Sequence, residues 1–302
     1  MRLVLPGTLS KLYHMQVLHF GYCNDFLLTS CEDMCGLINL RHVIHYEGLD
    51  IPSIGRLTSL RTMKTFRVRK EQGYQLKQLR NLNKLGGELR IYGIENVESK
   101  AESLEAKLAD KEGLGKLVLR WDGEVGAEVE TEVLEGLCPP KHLDQLRIES
   151  YKGLRYPSWM VGEHNSGPKY LKYLEFRRCR QELGPELRGF GSHLRVLVIK
   201  SCSWVSLPDS MEHLTSLRKL GIYYCRNIRS LPTLPQFLHH FTLDESNDVL
   251  MSWCKMIGNP NWEKIQHIPR VRIGGWVIRM GVVRRPGEAR AEVVLSDTLI
   301  SD

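Results

Sequence analysis

The sequence contains no long hydrophobic run and no excess of charge of one sign. No apolar stretch approaches the roughly 18 residues of a membrane-spanning helix, so no membrane span is expected. The 42 lysines and arginines are interspersed with 35 aspartates and glutamates, a mixture that predicts neither a nucleic-acid-binding arm nor a polybasic membrane patch. Pro6, Lys11 and His14 interrupt the N-terminal segment, so a signal peptide is not expected either.

Motifs of nucleotide binding and catalysis are also missing. The phosphate-binding pattern G-x-x-x-x-G-K-[ST] does not occur, and its nearest look-alike, EGLGKL around Gly115, has no glycine at position 110. Nucleophilic catalysis needs a serine or cysteine beside a histidine and an orienting acid. Ser192 with His193, and the neighbours His239 and His240, supply only fragments of that arrangement. We therefore expect no enzyme activity and no cofactor.

The eight cysteines do not resemble a disulfide framework, because the chain is long and has no secretion signal. The best candidate for a metal site is Cys31-x-x-x-Cys35 with His42 and His45, since structural zinc takes four nitrogen or sulfur ligands. The spacing is not that of a usual zinc finger, and His45 falls in a core position of the repeat described next. We therefore interpret the cysteines as structural thiols and expect no metal site.

What the sequence does contain is an internal repeat. Three segments with a step of 23 residues, YLKYLEFRRC, HLRVLVIKSC and SLRKLGIYYC, share the pattern L-x-x-L-x-h-x-x-C, where h is apolar. Less regular copies place their first anchor at positions 15, 40, 60, 86, 114, 143 and 238, with His45 and Thr65 in the third apolar slot of the copies at 40 and 60. About ten turns of 20 to 29 residues are typical of leucine-rich repeats.

The spacing of the repeat predicts the fold. L-x-L alternation places two apolar side chains on one face of a short strand, and such strands bury that face only by stacking into one parallel sheet with a shared core. We expect an α/β solenoid, a leucine-rich-repeat horseshoe with a concave parallel β-sheet and an irregular, partly helical convex side. Strands are predicted near residues 17–20, 89–91, 117–119, 146–148, 174–176, 197–199, 220–222 and 241–243.

The cysteines that end the three regular copies share one position in the turn after the strand. That slot requires a small buried group that can hydrogen-bond the neighbouring backbone. Cys179, Cys202 and Cys225 are therefore predicted to be buried, reduced and stacked on adjacent strands, which lie about 4.8 Å apart.

One connection between repeats differs from the others. Ala101, Leu104 and Leu108 recur at helical spacing after Ser99, a residue type suited to the N-cap, and Glu102 follows it at the capping-box distance. This predicts an amphipathic helix on the convex side, because sixteen residues are too few for a free-standing coiled coil.

The expected organisation has three parts. Residues 1–250 form the repeats, and residues 251–275 form a closing segment in which Trp253, Trp262 and Ile265 cover the open end of the core. Residues 276–302 have no periodicity and are expected to form a disordered tail.

The residues that flank the second and third apolar anchors of each repeat are the candidate binding residues. Their side chains point away from the core onto the concave surface, and arginine and tyrosine are enriched at protein-binding hot spots. Ordinary solvated strand residues are the alternative interpretation for each position taken alone. The set that we predict to bind protein is Arg90, Tyr92, Arg120, Arg147, Tyr173, Glu175, Arg177, Lys200, Lys219 and Tyr223.

The succession of segments resembles the leucine-rich-repeat region of plant NB-LRR disease-resistance proteins of the coiled-coil type. The resemblance covers residues 5–273, and it rests on LPGTLSKLYHMQVL, GELRIYGIENV, EAKLADKEGLGKLVLRWDG, EVLEGLCPPKHLDQLRIESYKGLRYPSWM and WCKMIGNPNWEKIQHIPRVRI. It implies an irregular horseshoe that recognises pathogen effectors or guarded host proteins and holds an adjacent nucleotide-binding domain inactive. It also implies a cytoplasmic protein with protein partners and no catalysis.

The sequence departs from that family in two respects. The coiled-coil and nucleotide-binding domains are not part of it, and the family pattern ends after Gly275. We therefore expect a truncated product or a partial sequence of a resistance-like gene. The alternative function is a generic intracellular adaptor, such as the substrate receptor of a ubiquitin ligase, although no docking motif for that role stands outside the repeats.

Overall fold

A computed structural model describes residues 3–5, 8–19, 26–28, 36–45, 51–161, 167–279 and 294–296. The chain divides into two compact units: the first consists of residues 1–159 and 164–170, and the second of residues 160–163 and 171–302. None of the described helices is long and apolar enough to cross a bilayer.

Eight short strands lie among the described residues of the first unit, and each pair that they form is parallel. Two separate pairs, β1 with β3 and β2 with β4, precede a four-stranded sheet of order β5-β6-β7-β8. The strands are β1 Leu3–Leu5, β2 Val17–His19, β3 Phe26–Leu28, β4 His42–Ile44, β5 Thr65–Arg67, β6 Gly87–Tyr92, β7 Leu114–Arg120 and β8 Gln145–Glu149.

The second unit repeats the arrangement and extends it. Five parallel strands pair in sequence order, and two antiparallel strands follow at the end of the sheet. The strands are β9 Tyr173–Arg177, β10 Val196–Lys200, β11 Lys219–Tyr223, β12 His240–Asp244, β13 Arg270–Ile273, β14 Trp276–Arg279 and β15 Val294–Ser296.

The core consists of the apolar anchors that the repeat defines. Pairs such as Leu197 with Leu220 and Ile199 with Ile222 stand side by side on neighbouring strands, and all four side chains are buried. Every strand predicted from the repeat is present, although the one near 17–20 ends at His19 and residue 20 lies outside the described residues. The prediction of a leucine-rich-repeat fold is thereby confirmed.

Seven of the described strands were not predicted. β1 and β3 precede or interrupt the regular repeat, and β4 and β5 correspond to the two copies that fit the pattern only in part. In β5 the third core slot is taken by Phe66, which pairs with Ile91, and not by Thr65 as expected. Thr65 pairs with Arg90 on the opposite face because the bulky apolar neighbour takes the core position.

The fifth unpredicted strand, β13, belongs to a repeat that the sequence analysis missed. Ile268, Val271 and Ile273 have the spacing of the apolar anchors, and all three are buried. β13 continues the parallel ladder after β12. In the segment expected to be a disordered tail, β14 then pairs with β13 in antiparallel register and β15 pairs with β14, so the backbone groups at the edge of β13 are satisfied.

The closing segment is only partly as expected. Trp262 and Ile265 are buried, but Trp253 is 40% exposed. In the helix α4 (Asp248–Trp253) the inward positions are Leu250 and, one turn later, Cys254. Trp253 therefore lies on a neighbouring face of that helix.

The helix after Ser99 begins as predicted and ends early. Ser99 accepts a hydrogen bond from the backbone of Glu102 at 3.2 Å, but the helix α1 spans only Lys100–Leu104. Lys107 then adopts a left-handed conformation, and a 3-10 turn follows at Leu108–Asp110. The predicted apolar stripe is wrong at Ala101 and Leu104, which are both exposed, and right at Leu108, which is buried. Ser103 and Ala106 face inward instead.

The inward side of α1 packs on a helix that the sequence did not reveal, α2 (Ala127–Gly136). A β-carbon on Gly136 would lie 1.9 Å from Ser103 Oγ, so only glycine permits this close approach. Two further short helices are α3 (Ser158–Val161) and α5 (Pro260–Glu263).

Candidate functional site

All ten predicted binding residues lie on strands with their side chains on the face opposite the core. We call this face the outward face and describe it for each unit separately. In the first unit it carries four predicted residues, Arg90, Tyr92, Arg120 and Arg147, all half-buried. It also carries residues that the prediction did not include, among them Arg67, Glu88, Lys116, Val118 and Glu149.

The centre of the first unit's outward face is a tyrosine between two arginines. The guanidinium carbon of Arg67 lies 5.6 Å from the ring centroid of Tyr92, and that of Arg120 lies 5.2 Å from it. Asp122, just after β7, accepts a 2.8 Å bond from Arg67 and lies 2.6 Å from Arg120 Nε. We call these four residues the Tyr92 cluster. Because each member forms an ion pair or a cation–π contact with another member, the four side chains are fixed by contacts within the chain.

Carboxylates neutralise the other cations of this face. Glu88 lies 2.9 Å from both Arg90 Nε and Lys116 Nζ, and Glu149 lies 3.4 Å from Arg147. Burial acts to raise the pKa of Glu88, but the hydrogen bonds from Lys116 and Arg90 outweigh it and lower that pKa below its ordinary value. The same contact with Glu88 raises the pKa of Arg90. The arginines of this face that the sequence predicts to bind protein are therefore paired within the chain.

The second unit's outward face carries the remaining predicted residues. Tyr173 donates a 2.8 Å hydrogen bond to Glu175, whose side chain lies 3.8 Å from Arg177 Nε. Glu175 is only 4% exposed, so it supports its neighbours and presents little surface of its own. The two predicted lysines differ from each other. Lys200 stacks on the ring of Tyr224 at 5.5 Å, whereas Lys219 is exposed.

The last predicted residue, Tyr223, lies flat on the sheet. A β-carbon on Gly221 would be 2.6 Å from its ring. The absence of a side chain at Gly221 therefore creates the space for this ring, which stays half-exposed.

In the second unit, the residue at the cysteine position of each repeat stabilises the turn that follows the strand. Cys179, Cys202 and Cys225 are buried, as predicted, and each thiol lies 3.3–3.7 Å from the carbonyl oxygen of the last strand residue. Ser246 has the same role in the next repeat: it donates to Asp244 at 2.8 Å and accepts from the backbone of Cys225 at 3.2 Å. Burial raises the pKa of the Cys225 thiol to about 12, which keeps it protonated and able to donate.

The residue before each slot has a left-handed backbone. Its φ lies between 46° and 60° in five successive repeats, at Ser150, Arg178, Ser201, Tyr224 and Glu245. In the earlier repeat after β6 the same place is taken by Gly93, at φ 72°.

The metal and catalytic alternatives gain no support from the described residues. Cys31 and Cys35 lie outside them, while His42 Nδ1 contacts Thr62 Oγ1 at 3.0 Å. No group of three metal-binding side chains comes together among the residues that the structure describes. Ser192 Oγ and His193 Nδ1 do lie 2.8 Å apart, but they are sequence neighbours on a surface turn.

The acidic residues of the first unit's outward face were not predicted from the sequence. Glu88 and Glu149 occupy the same alternating positions as the arginines, so a selection by position alone would have found them. Asp122 and Arg67 gave no such signal: Asp122 follows its strand, and Arg67 lies in the repeat whose register was expected one residue away.

Comparison with known proteins agrees with the repeat architecture. The family described as R13L1/DRL21 leucine-rich repeats matches residues 76–202. A leucine-rich-repeat protein of Leptospira interrogans shares the fold, with a TM-score of 0.51 and 22% identity over 81% of this chain and 58% of its own.

Two proteins of Solanum bulbocastanum with disease-resistance names are similar in sequence. RGA1 is 30% identical over 76% of this chain and 23% of its own length. RGA4 is 35% identical over 60% of this chain and 19% of its own length. The chain thus spans less than a quarter of either relative. It belongs to the family of plant disease-resistance proteins, of which it contains a leucine-rich-repeat region.

Proposed function

We propose that the outward face binds a protein partner and that the chain is a recognition module without chemistry of its own. The observation that supports this most directly is the Tyr92 cluster. Arginine and tyrosine are enriched among the few hot-spot residues that dominate the binding energy of protein interfaces. Arg67 and Arg120 are about 40% exposed while fixed by Asp122 and the Tyr92 ring, so little side-chain freedom remains to be lost on binding.

The partners we propose are those that the family resemblance implies. They are the nucleotide-binding domain of a resistance protein, which the module would hold inactive, and a pathogen effector or guarded host protein. A cytoplasmic location is part of this proposal. These roles belong to whole resistance proteins, so each needs a direct binding test.

The test compares two arginines of similar environment on different faces. Arg67 is paired with Asp122 at 2.8 Å, and Arg80, in the connection before β6, is paired with Glu105 at 3.3 Å. Their side chains are 41% and 48% exposed. Arg67→Ala should weaken co-purification with the nucleotide-binding domain of a related resistance protein more than about fivefold, the loss typical of an interface hot spot. Arg80→Ala should leave it unchanged.

Single alanine variants are preferable to reversing arginines to glutamate. Arg120, Arg147 and Arg177 each have a carboxylate within 3.8 Å, so a new glutamate there would create like-charge repulsion inside the chain. Equal recovery of the partner with Arg67→Ala and Arg80→Ala would contradict the assignment of the outward face.

A further inference from the structure

The second unit contains a group of basic residues that lack the carboxylate partners found in the first unit. They stand at the starts of strands β10 to β13, in two adjacent rows. The first row consists of Arg195, Arg218 and His239, each one residue before its strand; the second consists of Lys219, His240 and Arg270, each the first residue of its strand. We call these six residues the basic rows. All six are exposed.

The rows are held in place by the backbone of the sheet. Arg218 N donates to Arg195 O at 2.9 Å, and His239 N donates to Arg218 O at 2.9 Å. In the second row Lys219 pairs with His240, and His240 pairs with Arg270, in parallel register. Adjacent members are therefore separated by about one strand spacing, roughly 4.8 Å.

Like charges directly opposite each other on neighbouring strands destabilise a sheet. Here Arg218 stands opposite Arg195, and Lys219 and Arg270 stand on either side of His240. Among the described residues none of Arg195, Lys219 and Arg270 forms an ion pair. Desolvation and, to a smaller extent, the charges of Arg270, Lys219 and His239 lower the pKa of His240. The unbound protein gains no stability from placing these basic side chains together, whereas an anionic partner would be attracted to them.

We propose that the basic rows are a docking surface for an acidic segment of a protein partner, a run of aspartates and glutamates. This rests on the proposed protein-recognition role for the class of partner. Arg218 is already oriented, because one terminal nitrogen donates to Thr215 O at 3.0 Å and to Leu217 O at 3.1 Å. Its remaining donors can pair with a carboxylate.

A single-stranded nucleic acid is the less suitable occupant of these rows. Such ligands bind where exposed aromatic rings alternate with cations, so that bases can stack. The ring of Phe237, which adjoins the rows, is 55% exposed, but the guanidinium of Arg218 already stacks on it at 5.7 Å. Tyr173, at the other end of the same sheet, has its hydroxyl engaged with Glu175. An acidic peptide segment, in contrast, needs only the cations, because its carboxylates bind without stacking on an aromatic ring.

The test uses two triple variants with the same net charge. One removes three members of the rows, Arg195→Gln, Lys219→Gln and Arg270→Gln. The matched control removes three exposed lysines from connections of the first unit, Lys77→Gln, Lys84→Gln and Lys100→Gln. Binding of a fluorescent ten-residue polyglutamate peptide to the full chain is measured by anisotropy, alongside a single-stranded RNA of ten nucleotides and phosphatidylserine vesicles.

We expect the row variant to bind polyglutamate about tenfold more weakly, from three partly exposed charge pairs, while the control stays within about twofold of the wild type. The row variant should also melt no lower than the wild type, since it loses only repulsive contacts. Equal weakening in both variants would show a general effect of net charge and overturn the proposal. So would tighter, row-dependent binding of the RNA or the vesicles.

The outcome is separable from that of the proposed function. Arg67→Ala leaves the basic rows intact and should bind polyglutamate like the wild type. Loss of the acidic peptide with retention of the nucleotide-binding domain, or the reverse, therefore assigns failure to one proposal alone.

Discussion

Replacing Glu130 by glutamine should remove a pH dependence of stability that the wild-type chain has between about pH 5 and 7. Glu130 lies in α2 and is fully buried. One carboxylate oxygen accepts a 2.5 Å hydrogen bond from the backbone of Lys152, and the other has no partner among the described residues. Desolvation is the main reason that the pKa rises from 4.5 to about 7, with Glu95 adding a smaller increase and Lys152 opposing it.

The size of the effect follows from this shift. Below pH 4.5 the carboxyl is protonated in both the folded and the unfolded chain, so it contributes its full stability. Between pH 4.5 and 7 the unfolded chain releases the proton while the folded chain retains it, and the free energy of unfolding falls by about 1.4 kcal/mol per pH unit. Above pH 7 both states are ionised and the loss levels off at about 3 kcal/mol, as an order of magnitude.

The assay is urea unfolding followed by tryptophan fluorescence at pH 5, 6, 7 and 7.5. The free energy of unfolding of Glu130→Gln minus that of the wild type should rise steadily over this range, because glutamine does not titrate and keeps an oxygen for the backbone of Lys152. Glu128→Gln is the control, since Glu128 lies in the same helix but is exposed; its difference should stay flat. Parallel pH curves for wild type and Glu130→Gln would refute the argument.

Three further outcomes are expected. Gly136→Ala should lower the free energy of unfolding by about 1–3 kcal/mol in chemical denaturation, because its β-carbon would meet Ser103 Oγ, whereas Gly115→Ala, with its nearest neighbour at 3.8 Å, should cost far less. Ser246→Ala should cost about 1–3 kcal/mol in the same assay by leaving the backbone N–H of Cys225 without its acceptor, and Ser246→Cys should recover part of that loss. Mass spectrometry of the unreduced native protein should find the three stacked cysteines as free thiols, and a disulfide between any two would contradict their structural role.

The core could be predicted because the apolar anchors that define the repeat are themselves the core residues. Wherever three apolar anchors recur with a constant step, as at Leu194, Leu197 and Ile199, the strand lies within one or two residues of its predicted place. The strand positions predicted from the repeat were wrong or missing where a neighbouring residue competed for an anchor position or where the step between repeats was long. Phe66 beside Thr65 shifted the register of β5, and the 30-residue step from Leu238 to Ile268 concealed β13.

The candidate site was predicted in position but not in charge. Alternation along a strand shows which side chains leave the core, and it placed Arg90 and Arg120 correctly. Whether an arginine is free or paired depends on residues from other repeats, since Arg67 reaches Asp122 across 55 positions of sequence. A single sequence contains no periodic signal for such a pair. For the same reason Leu104 was assigned to the wrong side of its helix, because α2 selects the face that packs.

The left-handed residue that precedes each cysteine or serine slot has a consequence for how the sequence can vary. Arg178, Ser201, Tyr224 and Glu245 differ in size and charge, yet they share one backbone conformation and are all exposed. That conformation is imposed by the slot residue and its bond to the strand carbonyl, so the preceding side chain is not required to be glycine. Substitution there exchanges a surface group at the margin of the sheet and leaves the scaffold intact.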